Sequence, residues 1–151
     1  MSDSPNEIPA SDRIIVGVDG SDYSKEALRE GALLAQALDA PLEAIACWQD
    51  PSVYATSYGY IPELDPEAFR ADSQRMLEDT LEEVFGQNRP ANLSTRLLHG
   101  RPAELLVDES KNARMLVLGR RGVGGVLGMI LGSVSSALVS HAHCPVVIVR
   151  R

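Results

Sequence analysis

The chain is expected to fold as an α/β protein, with an open, parallel five-stranded sheet in three layers and helices on both faces. Three observations carry this. Near-continuous apolar runs recur at Arg13–Asp19, Leu42–Trp48, Met115–Gly119 and Pro145–Val149, as in strands buried on both faces. Segments of helical period separate them, and strict alternation of this kind means parallel strands joined by crossovers. The 151 residues show no internal repeat or linker, so one domain is expected.

In chain order, residues 1–12 are polar, hold two prolines and read as a flexible tail. The first strand, Arg13–Asp19, leads into Gly20-Ser-Asp-Tyr-Ser24, which supplies turn and N-cap chemistry. The helix that follows, Lys25–Leu38, carries Leu28, Ala32, Ala35 and Leu38 on one stripe. Leu42–Trp48 is the second strand. Residues 49–64, with Pro51, Tyr54, Tyr58, Tyr60 and Pro62, form a loop of the length that covers sites. Asp65-Pro66 is an N-cap followed by proline at the first helical position; Phe69, Met76, Leu77, Leu81 and Val84 point inward and Gly86 ends the helix. Leu93–Leu98 alternates as a more exposed strand. A short helix after Gly100-Arg-Pro102 presents Ala103, Leu106 and Val107. Met115–Gly119 is the fourth strand; a loop with five glycines leads to a helix from Gly132-Ser133 to about His141, then the last strand, Pro145–Val149.

Composition narrows the function classes. The net charge of −7 argues against general nucleic-acid binding. It is unevenly spread: residues 1–109 hold 8 Lys and Arg against 21 Asp and Glu, whereas residues 110–151 hold six basic residues and no acid. An acid-free segment in an acidic protein offers a place for a small anion, although a core-rich last third would read the same way. The opening MSDSPNEIPASD has neither the basic nor the apolar region of a signal peptide. The apolar stretch Val123–Leu131 is half a membrane span. Cys47 and Cys144 sit in apolar runs, as free thiols of a reducing compartment do. A cytoplasmic protein with no membrane association is expected.

In an open parallel sheet, ligands bind beyond the carboxyl ends of the strands. Two such ends draw attention: Asp19-Gly20-Ser21, and the run Gly119-Arg-Arg-Gly122-Val-Gly-Gly-Val-Leu-Gly-Met-Ile-Leu-Gly132-Ser133. Glycines let backbone N–H groups approach an anion closely. Gly132-Ser133-Val134-Ser135 adds a helix N-terminus and two hydroxyls. The run is not a Walker A motif, since no Gly-Lys-Ser/Thr occurs, and no G-x-G-x-x-G can be read in it. On glycine count alone, a tight loop with an ordinary N-cap fits equally well.

The spacing Gly119-x2-Gly122-x9-Gly132-Ser133 matches the signature G-x2-G-x9-G-(S/T), and the chain thereby resembles the ATP-binding, single-domain members of the universal stress protein family. Ile15-Val-Gly-Val-Asp-Gly-Ser21, Ala46-Cys-Trp48, Gly100-Arg-Pro-Ala103 and Cys144-Pro-Val-Val-Ile-Val149 extend the resemblance over nearly everything after residue 12. It implies the strand order 3-2-1-4-5 of the adenine nucleotide alpha hydrolase-like fold, and a homodimer. It places the residue matching Asp19 near ribose and metal, and backbone of the residue matching Cys47 against adenine. Residues matching Gly119, Gly122, Gly132, Ser133, Val134 and Ser135 surround the phosphates. With Gly17 and Val18 at the first strand end, and Arg120 and Arg121 added for their charge, these form the expected ATP site, Asp19 serving also toward Mg2+. Arg114 departs from the family, which often has Asp there, but lies at the far end of its strand.

Asp19 also suits a simple turn. His141-x-His143-Cys144 lacks further ligands nearby in sequence for a metal, and a helix C-terminus favours histidine in any case. His99 reads as a surface residue and Trp48 as packed under the long loop. No residue is assigned a catalytic role: neither Asp19 nor the serines have a base or activator beside them. The expectation is a nucleotide-dependent sensor or regulator in stress response, not an enzyme apart from slow hydrolysis, with an unidentified regulatory protein partner. The alternative is an ATP hydrolase or adenylylating enzyme on the same fold. Dimerisation is expected through residues 145–149, an apolar sheet edge.

Overall fold

A computed structural model describes residues 12–50, 65–122 and 131–150. The tail to residue 11, loop residues 51–64 and the glycines at 124, 125 and 128 lie outside the described residues. The elements are β1 (Ile14–Gly17), α1 (Asp22–Leu38), β2 (Leu42–Trp48), α2 (Pro66–Phe85), β3 (Leu93–His99), α3 (Pro102–Glu109) with a 3-10 turn at Ser110–Asn112, β4 (Met115–Gly119), α4 (Ser133–His141) and β5 (Val146–Val149). All neighbouring strands are parallel, in the order β3-β2-β1-β4-β5. The expected α/β architecture and strand order are those observed.

The chain winds outward from β1 through β2 to β3, then returns across β1 to β4 and β5. That reversal sends the helices to opposite faces. Ala27, Leu28 and Ala35 of α1 and Leu77 and Leu81 of α2 pack with Ile14, Val16, Leu42, Ala44, Ala46 and Val117. Leu106 of α3 and Leu138 of α4 pack on the other face with Ile15, Ile45, Leu116 and Leu118. Both sides of the central strands are therefore dry, which is why their sequences show no alternation.

Local chemistry sets the ends. Ser21 Oγ accepts from the Ser24 N–H at 3.1 Å and starts α1. Asp65 Oδ1 accepts from the Glu67 N–H at 3.0 Å, with Pro66 in the first turn of α2, and Gly86 (φ 55°) ends that helix. Boundaries of four elements differ from expectation, β3 running one residue further, to His99. β1 stops at Gly17: the Val18 N–H still donates to the Ile45 carbonyl at 2.9 Å, but the Asp19 N–H turns to Ser24 Oγ at 3.4 Å. α1 starts at Asp22, and its buried stripe is Ser24, Ala27, Leu28, Gly31 and Ala35, while Leu38 is 37% exposed. β5 starts at Val146, although the Pro145 carbonyl still accepts from the Leu116 N–H.

At the amino ends of the strands, on the α3/α4 face, four charges form a network. Glu43 Oε1 accepts from Arg13 Nη1 and Arg96 Nε, each at 3.0 Å. Glu109 Oε2, at the end of α3, accepts from Arg13 Nη2 at 2.5 Å and from Arg96 Nη2. At the carboxyl ends of β2 and β3, Trp48 stacks on its register partner His99 with ring centroids 4.1 Å apart, and His99 Nε2 lies 2.7 Å from Asp50 Oδ2. Trp48 thus has a stacking partner that the sequence did not suggest. Arg114 is exposed at the amino end of β4, far from the ligand end. Among the described residues no helix is long and apolar enough to cross a membrane.

Candidate functional site

A cavity of about 430 Å³ opens where the strand order reverses, at the carboxyl ends of β1, β2 and β4. Gly17, Val18, Asp19, Cys47, Gly119, Arg121, Gly122, Gly132, Ser133, Val134 and Ser135 all line it, so residues far apart in sequence converge. Arg120 does not: its guanidinium stands 6.0 Å from the centroid of the Tyr23 ring. The structure adds Ser24, Ile45, Pro102, Leu106 and Leu118. Strand and helix period would have found several of them. Ile45 shares a strand face with Cys47, Leu118 precedes Gly119, and Leu106 lies one helical turn beyond Pro102.

The signature glycines are required by close packing. Gly119, Gly122 and Gly132 are absent from the positive-φ residues, which among the described glycines are Gly20, Gly86 and Gly100. A Cβ on Gly119 would lie 2.6–2.7 Å from the Tyr23 backbone and Cβ. A Cβ on Gly122 would overlap Asp19 Oδ2, and one on Gly132 would sit 3.2 Å from Arg121 Cα. The Gly132 N–H donates to the Arg120 carbonyl at 2.8 Å, closing the loop, and Ser135 Oγ donates to the Gly119 carbonyl at 2.7 Å. Three backbone layers therefore stack: the turn at 19–23, the loop at 119–122, and the start of α4. The sequence reading gave these glycines to turns and phosphates; in the structure Gly119 packs on the Tyr23 backbone, Gly122 on the Asp19 carboxylate and Gly132 on the Arg120–Gly122 backbone.

Polar groups within the cavity divide by what they already bond. The Ser135 hydroxyl is buried and donates to Gly119, and that of Ser24 donates to the Ser21 carbonyl at 3.0 Å. Ser133 is exposed at the first position of α4, whose N-cap, Gly132, provides no side-chain cap. The first-turn N–H groups of α4 are thus left for a ligand or water. Along β2, odd-numbered residues turn their backbone toward β1, as the Ile45 carbonyl shows. β1 has ended by the level of Cys47, so the Cys47 N–H and C=O face the gap without a ladder partner among the described residues. Burial pushes the Cys47 thiol up to about 11, with the Glu109 carboxylate adding to the shift, so the sulfur stays protonated at neutral pH.

Asp19 is the one carboxylate lining the cavity among the described residues. Its Oδ1 accepts from the Ser21 N–H at 3.0 Å and the Ser21 hydroxyl at 2.5 Å. Among the described residues no three His, Cys, Asp or Glu cluster as ligands of a metal held by protein alone. His141 ends α4, and the His143 N–H donates to Ser110 Oγ at 2.9 Å.

Comparison with known proteins shows the family and the fold. The family described as "Universal stress protein family" matches residues 10–150. A universal stress protein of Mycobacterium tuberculosis is 33% identical over 149 residues, covering 90% of this chain and 47% of its own. The chain thus spans about half the length of the first curated relatives it matches. Among solved structures, the universal stress protein UspA from Lactobacillus plantarum superposes with a TM-score of 0.73 at 28% identity, covering 95% of this chain and 100% of its own. The universal stress protein from Archaeoglobus fulgidus, solved in complex with dAMP, has a TM-score of 0.62 at 21% identity, covers 91% of this chain and 97% of its own, and shares the fold.

Proposed function

Because the chain belongs to the universal stress protein family, we propose that it is a nucleotide-dependent regulator of the cytoplasmic stress response that binds ATP in the cavity at the end of β1, β2 and β4. One observation carries the reading. A slot walled by Val18, Ile45, Leu106 and Leu118 has the unpaired strand-end backbone of Cys47 at one side and the uncapped N-terminus of α4 at the other. An apolar slot with a few placed polar groups suits a base read by its edge. Backbone donors at a helix N-terminus suit phosphate without a lysine. Arg121, from the acid-free last third, adds a positive charge to the lining. Magnesium accompanying the nucleotide would draw its ligands mainly from phosphate and water, with Asp19 the carboxylate at hand. The Archaeoglobus fulgidus protein carries dAMP on the same fold, but the argument for this chain rests on its own backbone.

Regulation is favoured over turnover because Asp19 is the single carboxylate in the described lining, no histidine joins it, and the Cys47 thiol is protonated. Parallel titrations with ATP and GTP test the reading. ATP is expected to bind about tenfold more tightly, the worth of one or two edge hydrogen bonds. Equal affinities would remove the adenine contact, and no binding of either would end the proposal. Hydrolysis at about 1 per second or faster would replace a regulator with an enzyme.

We also propose that two copies pair through β5, in keeping with a family-type dimer. β5 is a sheet edge, and its odd residues bond to β4, as the Pro145 and Val149 carbonyls show. Val146 and Ile148 therefore direct their N–H and C=O groups outward, an edge that a second copy would satisfy. Val147 packs toward the α1 core, so a charge there would report on folding rather than on the edge. Light scattering should give twice the 16.3 kDa chain mass, with the Val146 and Ile148 amides slow to exchange. A monomer in which those two amides exchange fast excludes this interface.

A further inference from the structure

We propose that Asp19 is a positioning residue: its carboxylate props the Gly119–Gly122 backbone against the first turn of α1, and nucleotide affinity depends on that prop rather than on a bond from Asp19 to metal. The proposal deepens the nucleotide reading, and its affinity arm rests on that reading.

The argument starts from how fully the carboxylate is engaged. Oδ1 takes both the N–H and the hydroxyl of Ser21, at 3.0 and 2.5 Å. The same hydroxyl oxygen accepts from the Ser24 N–H, so the Asp19 side chain is fixed to the N-cap of α1. Behind it, Gly20 turns at φ 84°, a conformation that favours glycine, with Met76 of α2 packed where a Cβ would point. Oδ2, held by this arrangement, lies so close to Gly122 that no Cβ fits between them. Gly119 meets the Tyr23 backbone in the same way, so the loop rests on the turn at two points. The third layer follows, because Gly132 packs on Arg121 and Gly122 and its N–H bonds to the Arg120 carbonyl. The start of α4 is therefore located, through the loop, by Asp19. No second acidic or histidine ligand joins Asp19 in the cavity lining among the described residues. With Oδ1 taking both bonds from Ser21 and Oδ2 set against Gly122, the carboxylate joins the turn to the loop.

Two variants separate shape from charge. Asp19→Asn keeps an oxygen for Ser21 and an atom of similar size against Gly122, and removes the negative charge. Asp19→Ala removes both. In the nucleotide-free protein, exchange of the Gly132 amide, which bonds to the Arg120 carbonyl, is expected to accelerate about tenfold in the alanine variant and to stay within about twofold of the parent in the asparagine variant. The Val147 amide in β5 should be unaffected in both, which distinguishes local loosening from global destabilisation. ATP affinity should fall about tenfold for alanine, equally with Mg2+ or with EDTA, and be restored by asparagine. The proposal is overturned if alanine leaves the Gly132 amide unchanged. It is also overturned if asparagine loses as much affinity as alanine and only when Mg2+ is present. Should neither variant nor the parent bind ATP, the nucleotide reading has failed, and the exchange measurement still decides the role of Asp19.

Discussion

Valine at Gly119 should lower the melting temperature by about 10 °C, whereas valine at Gly122 should leave the protein folded and reduce ATP affinity by about 100-fold or more. The two glycines belong to one signature but meet different neighbours. At Gly119 the added Cβ would fall 2.6 Å from the Tyr23 carbonyl carbon and 2.7 Å from its oxygen and Cβ. Backbone is on both sides of that clash. β4 is fixed between β1 and β5, and α1 is packed along the sheet through Ala27, Leu28 and Ala35. Overpacking that neither side can relieve costs about 3 kcal/mol, or roughly 10 °C for a chain of this size. At Gly122 the obstacle is the end of the Asp19 side chain, which can swing aside at a cost of about 2 kcal/mol, because its two bonds from Ser21 reach a charged oxygen but are exposed. Swinging removes the prop, and the valine methyls take space beside the α4 N-terminus; losing about 3 kcal/mol of binding is the 100-fold change. Thermal melts and calorimetric titration check both. A Gly119→Val protein that melts with the parent would mean that the two segments are not rigidly stacked. A Gly122→Val protein that binds ATP as tightly as the parent would mean that the phosphates sit elsewhere.

The contrast between these glycines shows what the sequence could convey. Their spacing is visible in one dimension, but which backbone each one faces is decided by the return of the chain across the sheet, about a hundred residues after Tyr23. Element types were legible because a strand dry on both faces must be apolar throughout, and Ser21, Asp65 and Gly86 announce helix ends by their chemistry. The buried stripe of α1 was read only in part: Leu28, Ala32 and Ala35 face the core as expected and Leu38 does not, and two of the missed positions have a definite reason. Gly31 and Ser24 carry no hydrophobic signal, yet Gly31 is buried, and a Cβ there would lie 2.5 Å from Val16 Cγ2. The cavity walls were hidden for the opposite reason: Ile45, Leu106 and Leu118 read as core residues because they are also core residues. The excess of acid in the first 109 residues was plain, but not the place of Glu43, a charge inside an apolar strand whose partners lie 30 and 53 residues away.

Glu43→Ala is expected to cost about 2–3 kcal/mol, a fall of roughly 5–10 °C in melting temperature, because it leaves two arginines on one carboxylate. Glu43 is only 8% exposed and meets both guanidinium groups. Arg13 is nearly as covered, while the Arg96 side chain is 37% exposed, so solvent screens part of the imbalance and the cost falls below that of a fully buried broken pair. Glu109 should make the network sensitive to acid. Burial pushes its carboxyl up, but the hydrogen bonds from Arg96 and Arg13, with the charges behind them, outweigh that and hold it below its ordinary value. A carboxyl bound more weakly by protons in the folded than in the unfolded state stabilises the fold fully above the unfolded value, about 4.3. That contribution is lost as pH falls below this value and through the folded one. Glu109→Gln should accordingly be less stable than the parent at pH 7, and the gap should narrow steadily below about pH 4 as the parent carboxylate is protonated. Denaturant unfolding of both proteins over that range measures the gap directly. A constant difference between pH 7 and pH 3 would show that Glu109 gains nothing from its charge in this network, and a Glu43→Ala protein as stable as the parent would show that Arg13 and Arg96 do not need it.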